Sequence, residues 1–261
     1  MKIALIGAGN MGEAILAGSH RKQQFLVCEP NKARQVFLRR RRYRCVFGAL
    51  DIVALNADVI LLAVKPQDFP EVLAELARVP MKGKLIISVA AGITTRYIER
   101  ALRQPVRVVR VMPNLPALIG EGMTALAKGA RATSRDLALA RGIFEAVGAT
   151  LTVKEQMLDA VTAVSGSGPA YVFLFVECLM KAARKLGFVD REARELVYKT
   201  LLGSAHMLAK SSDSAGILRS KVTSKGGTTQ AATDVFMKKN IEEIFIAALK
   251  AARQRAKELS K

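Results

Sequence analysis

Directly behind the apolar run Lys2-Ile3-Ala4-Leu5-Ile6 stands Gly7-Ala8-Gly9-Asn10-Met11-Gly12, and a helix-forming stretch follows at once. A GxGxxG string alone is weak evidence, but between a strand and a helix it leaves few folds open. The first glycine makes a tight turn, the second lets a pyrophosphate approach the backbone, and the third lets helix and strand pack closely. The expectation is a βαβ unit with a nucleotide crevice at the carboxyl edge of its sheet.

The pattern continues beyond this unit. Short apolar runs over residues 2–6, 25–28, 59–64, 85–88, 106–111, 123–126 and 151–153 read as strands, separated by helical stretches such as 11–19, 32–42 and 69–77. Several runs are continuously apolar rather than alternating, as required when helices cover both faces of a sheet. From about Glu155 the strand signal fades, and residues 170–187, 190–209 and 241–260 show helical spacing. The predicted architecture is α/β: a Rossmann-type, doubly wound, mainly parallel sheet over residues 1–153, then an all-helical domain over 154–261.

Composition narrows the function classes. Hydrophobic residues are 51% of 261, yet no run approaches the ~20 apolar residues of a membrane span, so no membrane partner is expected. The N-terminus enters a strand at once without a signal-peptide pattern. Cys28, Cys45 and Cys178 are scattered, without metal-site spacing, which points to a reducing cytoplasm and buried free thiols. The net charge of +19 attracts anions. Its densest run, Arg39-Arg40-Arg41-Arg42 with Arg44, reads as a solvated helix end. No nucleic-acid-binding motif accompanies it, so no nucleic-acid partner is expected. The only histidines, His20 and His206, read as ordinary helix residues without a triad setting.

The remaining candidates lie at strand ends. Glu29, 22 residues after Gly7, can accept from both ribose hydroxyls and would repel a 2′-phosphate, which favours NADH; a solvated strand end is the plain alternative. Lys32 and Arg34, beyond Asn31, pull toward NADPH. Ala63-Val64-Lys65-Pro66 and Ser88-Val89-Ala90-Ala91-Gly92 end two further strands, the latter small enough for a planar ring to approach. Lys65 suits a phosphate or ribose, or simply a helix entry. In the second half, Ser165-Gly166-Ser167-Gly168-Pro169-Ala170-Tyr171 feeds a long helix. Gly226-Gly227-Thr228-Thr229 breaks the helical pattern and restarts it, with threonine hydroxyls available as caps and bared amides available to an anion.

Together these pieces resemble the pyrroline-5-carboxylate reductase family. The matching motifs are Ile6 to Gly12, Ala63 to Pro66, Ala90 to Gly92, Met112-Pro113-Asn114, Pro116-Ala117, Ala160 to Thr162, Ser165 to Tyr171 and Gly226 to Thr229, in family order along nearly the full chain. The resemblance implies a reductase that makes L-proline from 1-pyrroline-5-carboxylate with NADH or NADPH. It also implies a homodimer interlocked through the helical domain, extending in many members to five dimers, with the active site between domains. Carried over by position, Gly7, Ala8, Gly9, Asn10, Met11, Gly12, Glu29, Asn31, Ala63, Val64, Lys65, Pro66, Val89, Ala90, Ala91 and Lys221 would surround the dinucleotide. Glu155, Ser224, Gly226, Gly227, Thr228 and Thr229 would contact substrate, with Thr229 catalytic through its hydroxyl on the ring nitrogen.

That assignment is chemically coherent. A protonated imine needs no strong acid, only a hydrogen-bond partner for the nascent amine and amides for the carboxylate. Three departures from the family stand out. Lys225 replaces the proline of Ser-Pro-Gly-Gly-Thr-Thr, removing a preset φ. Lys221 stands where some relatives have an asparagine, and Glu29 where many have a small polar residue. A reductase of another cyclic imine, or a weakly catalytic dinucleotide-binding regulator, fits the same motifs.

Overall fold

The computed structural model describes residues 1–19 and 23–260; His20 lies outside them. Eight strands form one sheet: β1 (Lys2–Ile6), β2 (Gln24–Cys28), β3 (Cys45–Phe47), β4 (Val59–Leu62), β5 (Leu85–Ser88), β6 (Arg107–Met112), β7 (Gly122–Lys128) and β8 (Gly148–Thr152). Their order is β3-β2-β1-β4-β5-β6-β7-β8. Neighbours pair parallel except β6 and β7, so the last two strands run against the rest. The reversal of order at β1 opens a crevice beyond the carboxyl ends of β1 and β4, where ligands of such sheets bind.

Six helices connect or flank the strands: α1 (Asn10–Ser19), α2 (Lys32–Arg40), α3 (Leu50–Leu55), α4 (Phe69–Leu76), α5 (Thr95–Leu102) and α6 (Ser134–Phe144). Alternation along the strands builds two cores. In β1, Ile3 and Leu5 join the layer under α1, α2 and α6, while Ala4 and Ile6 join the layer under α3, α4 and α5. All four are at most 2% exposed, which is why the run shows no polar alternation. The predicted strands match β1, β2 and β4 to β8 within a few residues. The unpredicted β3 is a three-residue edge strand just past the arginine run.

After β8 the chain is helical: α7 (Leu158–Val161), a π-helical turn (Thr162–Gly166), α8 (Gly168–Lys185), α9 (Asp190–Lys210), α10 (Ala215–Lys221), α11 (Thr228–Lys238) and α12 (Ile241–Leu259). Contacts divide the chain into two compact units. One is Met1–Pro169 with the segment from Ala251 onward; the other is Ala170–Lys250. Within the second unit the buried apolar side chains are only Ala183, Ala193 and Val197, while Phe173, Leu174, Met207, Ile244 and Phe245 are each more than half exposed.

Two composition-based expectations meet the structure here: one stands beside an apolar helical run, and the other changes. The helical run Glu155–Lys185 is long and apolar enough to cross a bilayer, with a window of mean hydropathy 1.4 that is only 6% buried. Its most apolar stretch includes the consecutive run Val172 to Phe175, and it holds no run of ~20 apolar residues. The thiols also differ: Cys28 and Cys45 are half-buried, but Cys178 on α8 is exposed.

Candidate functional site

The glycine loop between β1 and α1 divides its work as the spacing requires. Gly7 has φ +84°, and its N–H donates to the Cys28 carbonyl at 2.9 Å. A side chain there would stand 2.7 Å from Val64 Cγ1 and 2.9 Å from the Ala63 oxygen, so the turn is pressed against the end of β4. At Gly12 an added Cβ would meet the Gly7 oxygen at 2.5 Å, so helix and turn close on each other. Gly9 is the opposite case: nothing lies within 4 Å of its would-be Cβ. This open space lies at the first turn of α1, whose leading amides have no intrahelical acceptor. A pyrophosphate fits there on shape and on dipole.

Beside the loop, Glu29 is already engaged with backbone. One carboxylate oxygen accepts from Ala8 N and the other from Asn31 N, both at 2.9 Å. Arg34 is likewise committed: Nε donates to the Ala8 carbonyl at 2.7 Å, and the guanidinium pairs with Glu13 at 2.6 Å. Asn31 caps α2 by accepting from Arg34 N at 3.0 Å. Lys32 is exposed at the first position of α2, as is Lys65 before the Pro66–Asp68 turn. Burial, with Glu75, Glu29 and Asp51 nearby, pushes the Cys28 thiol up to about 11, so this cysteine stays a neutral, weakly reactive group.

The next strand ends complete the rim. Ala63 N donates to the Ile6 carbonyl at 2.8 Å and Val89 N to that of Leu62 at 3.1 Å, holding Ala63, Val64, Val89, Ala90 and Ala91 along the carboxyl edge. Gly92 takes φ +74°, and a side chain there would stand 2.6 Å from the Leu259 oxygen, so the last turn of α12 lies against this loop. Ser260 Oγ donates to Asp159 at 3.3 Å and fixes the same chain end.

Arg110, which the sequence reading left without a role, organises this edge together with the expected Glu155 and Asn114. Arg110, in the middle of β6, is 3% exposed and faces Glu155 at 3.6 Å and Asp159 at 3.7 Å. Glu155 accepts from Thr95 N and Thr95 Oγ1, each at 2.7 Å, so both its oxygens already have partners. The charged residue inside Val-Val-Arg-Val was the available signal. Asn114 donates to the Ser165 carbonyl at 3.2 Å and accepts from Met123 N at 2.8 Å, tying the Met-Pro-Asn loop to the π-helical turn. Such turns concentrate at functional sites. Ser167 N donates to the Thr162 carbonyl at 2.8 Å and closes it.

In the helical unit, the Gly226–Thr229 turn differs from expectation in its donors. Gly226, at φ +72°, donates its N–H to Gln230 Oε1 at 2.7 Å, and Gly227 N donates to the Ser224 carbonyl at 3.1 Å. The amides expected to bind an anion are thus used internally. The open ones belong to Thr228 and Thr229, the first two residues of α11. Gly227, not a threonine, is the cap residue, so the cap does not consume the threonine hydroxyls. Lys221, ending α10, pairs with Asp213, and His206 lies exposed on α9.

Known proteins resemble this chain along its whole length. A family model described as pyrroline-5-carboxylate reductase dimerisation matches residues 155–259, and one described as NADP oxidoreductase coenzyme F420-dependent matches residues 2–92. The pyrroline-5-carboxylate reductase of Haemophilus influenzae is 39% identical over 98% of this chain and 97% of its own length. A solved pyrroline-5-carboxylate reductase from Coxiella burnetii superposes with a TM-score of 0.91 at 38% identity, covering 99% of this chain and 98% of that one. Plasmodium falciparum pyrroline carboxylate reductase, solved with NADP bound, gives a TM-score of 0.89 at 28% identity over 100% and 98%. The chain belongs to the pyrroline-5-carboxylate reductase family.

Proposed function

We propose that this protein reduces 1-pyrroline-5-carboxylate to L-proline with a reduced nicotinamide dinucleotide. The observation that carries this reading is the full-length likeness to reductases of that name, 39% identical over 98% of the chain in one case. The glycine loop described above adds a crevice of the required form. When bound, the dinucleotide supplies the hydride for the imine carbon. Purified protein given the imine should consume NADH or NADPH; no consumption with either cofactor by folded protein would overturn the assignment.

The residue roles follow from the local geometry. The Gly9 cradle and the α1 amides hold pyrophosphate, while Ala90 and Ala91 leave room for a flat ring. The Thr228 and Thr229 amides receive the substrate carboxylate, and the Thr229 hydroxyl bonds the ring nitrogen as its imine charge is lost. The imine arrives protonated, so no side chain need donate a proton to it. For Glu155 to touch substrate it must exchange Thr95, its partner at both oxygens.

For the cofactor we read NADH. Glu29 holds its carboxylate between Ala8 and Asn31, where a ribose 2′-hydroxyl can donate and a phosphate is repelled. Of the two cations that could offset that repulsion, Arg34 is spent on Glu13 and Ala8, which leaves exposed Lys32 alone to do so. A kcat/KM for NADPH above that for NADH would reverse this reading.

The outward apolar side chains of Ala170–Lys250 support a homodimer, in which a second copy covers them. Their coverage by a subunit also accounts for the apolar helical run without a bilayer. A decamer of five dimers is the larger assembly compatible with the family, and sedimentation would distinguish it from the dimer.

A further inference from the structure

We propose that a groove along α5, separate from the dinucleotide crevice, is a binding site for a small, multiply charged phosphate-bearing anion. The groove, about 590 Å³, is lined by Arg96, Glu99, Arg100, Arg103, Gln104 and Arg131, with Pro105 at its edge. It descends from the first turn of α5 to the loop before β6 and the turn after β7. Pairing places that lower end at the amino edge of β6, since Gly129 N donates to the Val108 carbonyl and Val109 stands opposite Lys128. The crevice lies at the opposite edge.

Charge is the first argument. Arg96, Arg100 and Arg103 follow each other at spacings of four and three, which stacks them along one side of the helix, and Arg131 adds a fourth guanidinium. Among the described residues, none of the four forms a salt bridge. Like charges at these spacings destabilise a helix, and Arg96 in the first turn also opposes the dipole. An anion lying along the groove relieves both penalties.

The second argument is the construction of the wall. Gln104 is fixed by three hydrogen bonds: its oxygen accepts from Met81 N at 3.0 Å, and its amide donates to the Ala77 and Val79 carbonyls at 2.9 and 3.1 Å. Arg103 is held at φ +51°, a conformation costly for any residue but glycine. Beneath the arginines, Glu99 Oε1 is packed against Gly129, buried and without a hydrogen-bond partner, so it closes the floor of the groove. Burial raises the pKa of this carboxyl, against the lowering pull of the Ala130 amide and the Arg131 charge. Four guanidiniums match a di- or triphosphate group better than a single carboxylate. The groove's charge and walls do not depend on whether the protein is a reductase.

Calorimetric titration of the full chain with inorganic tripolyphosphate, with the crevice saturated by NADH, tests it. One site per chain is expected, weakened ~10-fold or more in Arg100→Ala/Arg103→Ala. An equal charge loss in Arg39→Ala/Arg40→Ala should change Kd less than ~2-fold. All four side chains are exposed, and circular dichroism would verify folding of both variants. No saturable binding, or equal weakening in both variants, would overturn the site. A signal that disappears when NADH is added, while Arg100→Ala/Arg103→Ala leaves NADH affinity unchanged, would also overturn it, by assigning the binding to the crevice.

Discussion

The two compact units of this chain solve the burial problem in opposite ways. Met1–Pro169 closes on itself: β1, β4 and β5 are shielded on both faces, and Phe25, Phe69 and Phe144 are fully enclosed. Ala170–Lys250 has well-formed helices but no large side chain fully enclosed, and Phe173, Leu174 and Phe245 point outward. Helix formation is local, whereas core formation is not. The first unit therefore carries its stability in one chain, while the second depends on a partner surface.

The sharpest way to break this contrast is to charge the outward helical surface. Phe173→Asp with Leu174→Asp should leave the sheet unit folded but abolish the dimer and lower activity ~100-fold, because two unpaired carboxylates would have to be buried in the interface. Sedimentation and the imine assay measure both. A dimeric, active double variant would show that α8 faces solvent.

A smaller effect is expected at the sheet unit's own turn. Gly7→Ala forces a side chain into positive φ and within 2.7 Å of Val64, at a cost of about 2 kcal/mol. That should raise KM for the dinucleotide ~30-fold with little change in KM for the imine. Equal rises in both would mean the turn supports the whole fold rather than the cofactor.

What could be read in the sequence divides along the same line. The sheet was legible because strands buried on both faces become apolar runs, as in Val59–Leu62, and Gly7, Gly9 and Gly12 each meet a separate steric demand. The short β3 was hidden because its apolar run, Cys45-Val46-Phe47, is only three residues long. At the second glycine pair, sequence gave the turn but not its donors. Gln230 reaches back to Gly226, so the open amides fall at Thr228 and Thr229. Nor could it reveal that Arg34 and Glu29 spend their charge on the glycine loop, since those bonds join residues 21 to 26 apart.

Thr229→Ala probes the helical unit's contribution to chemistry. Loss of the hydroxyl should lower kcat/KM ~10-fold, mainly in kcat, if the bond to nitrogen strengthens as the imine is reduced. Thr229→Ser should restore most of the rate. An alanine variant with unchanged kinetics would leave Thr229 only a place in the first turn of α11.

The smallest expected effect concerns Lys225, where the family loop has proline. Its N–H makes no hydrogen bond, and its side chain is exposed, so the ring displaces no contact. Lys225→Pro should stabilise the protein by about 0.5 kcal/mol, by restricting the unfolded chain, and change kcat/KM less than ~3-fold. A larger fall in kcat/KM, with KM for the imine rising, would mean that the lysine charge itself draws in the substrate carboxylate. Adding salt separates the two cases, because screening should weaken substrate binding to the lysine form and leave the proline form nearly unchanged. That outcome would make this turn, in the unit that lacks a core of its own, an electrostatic contributor to substrate capture rather than only its scaffold.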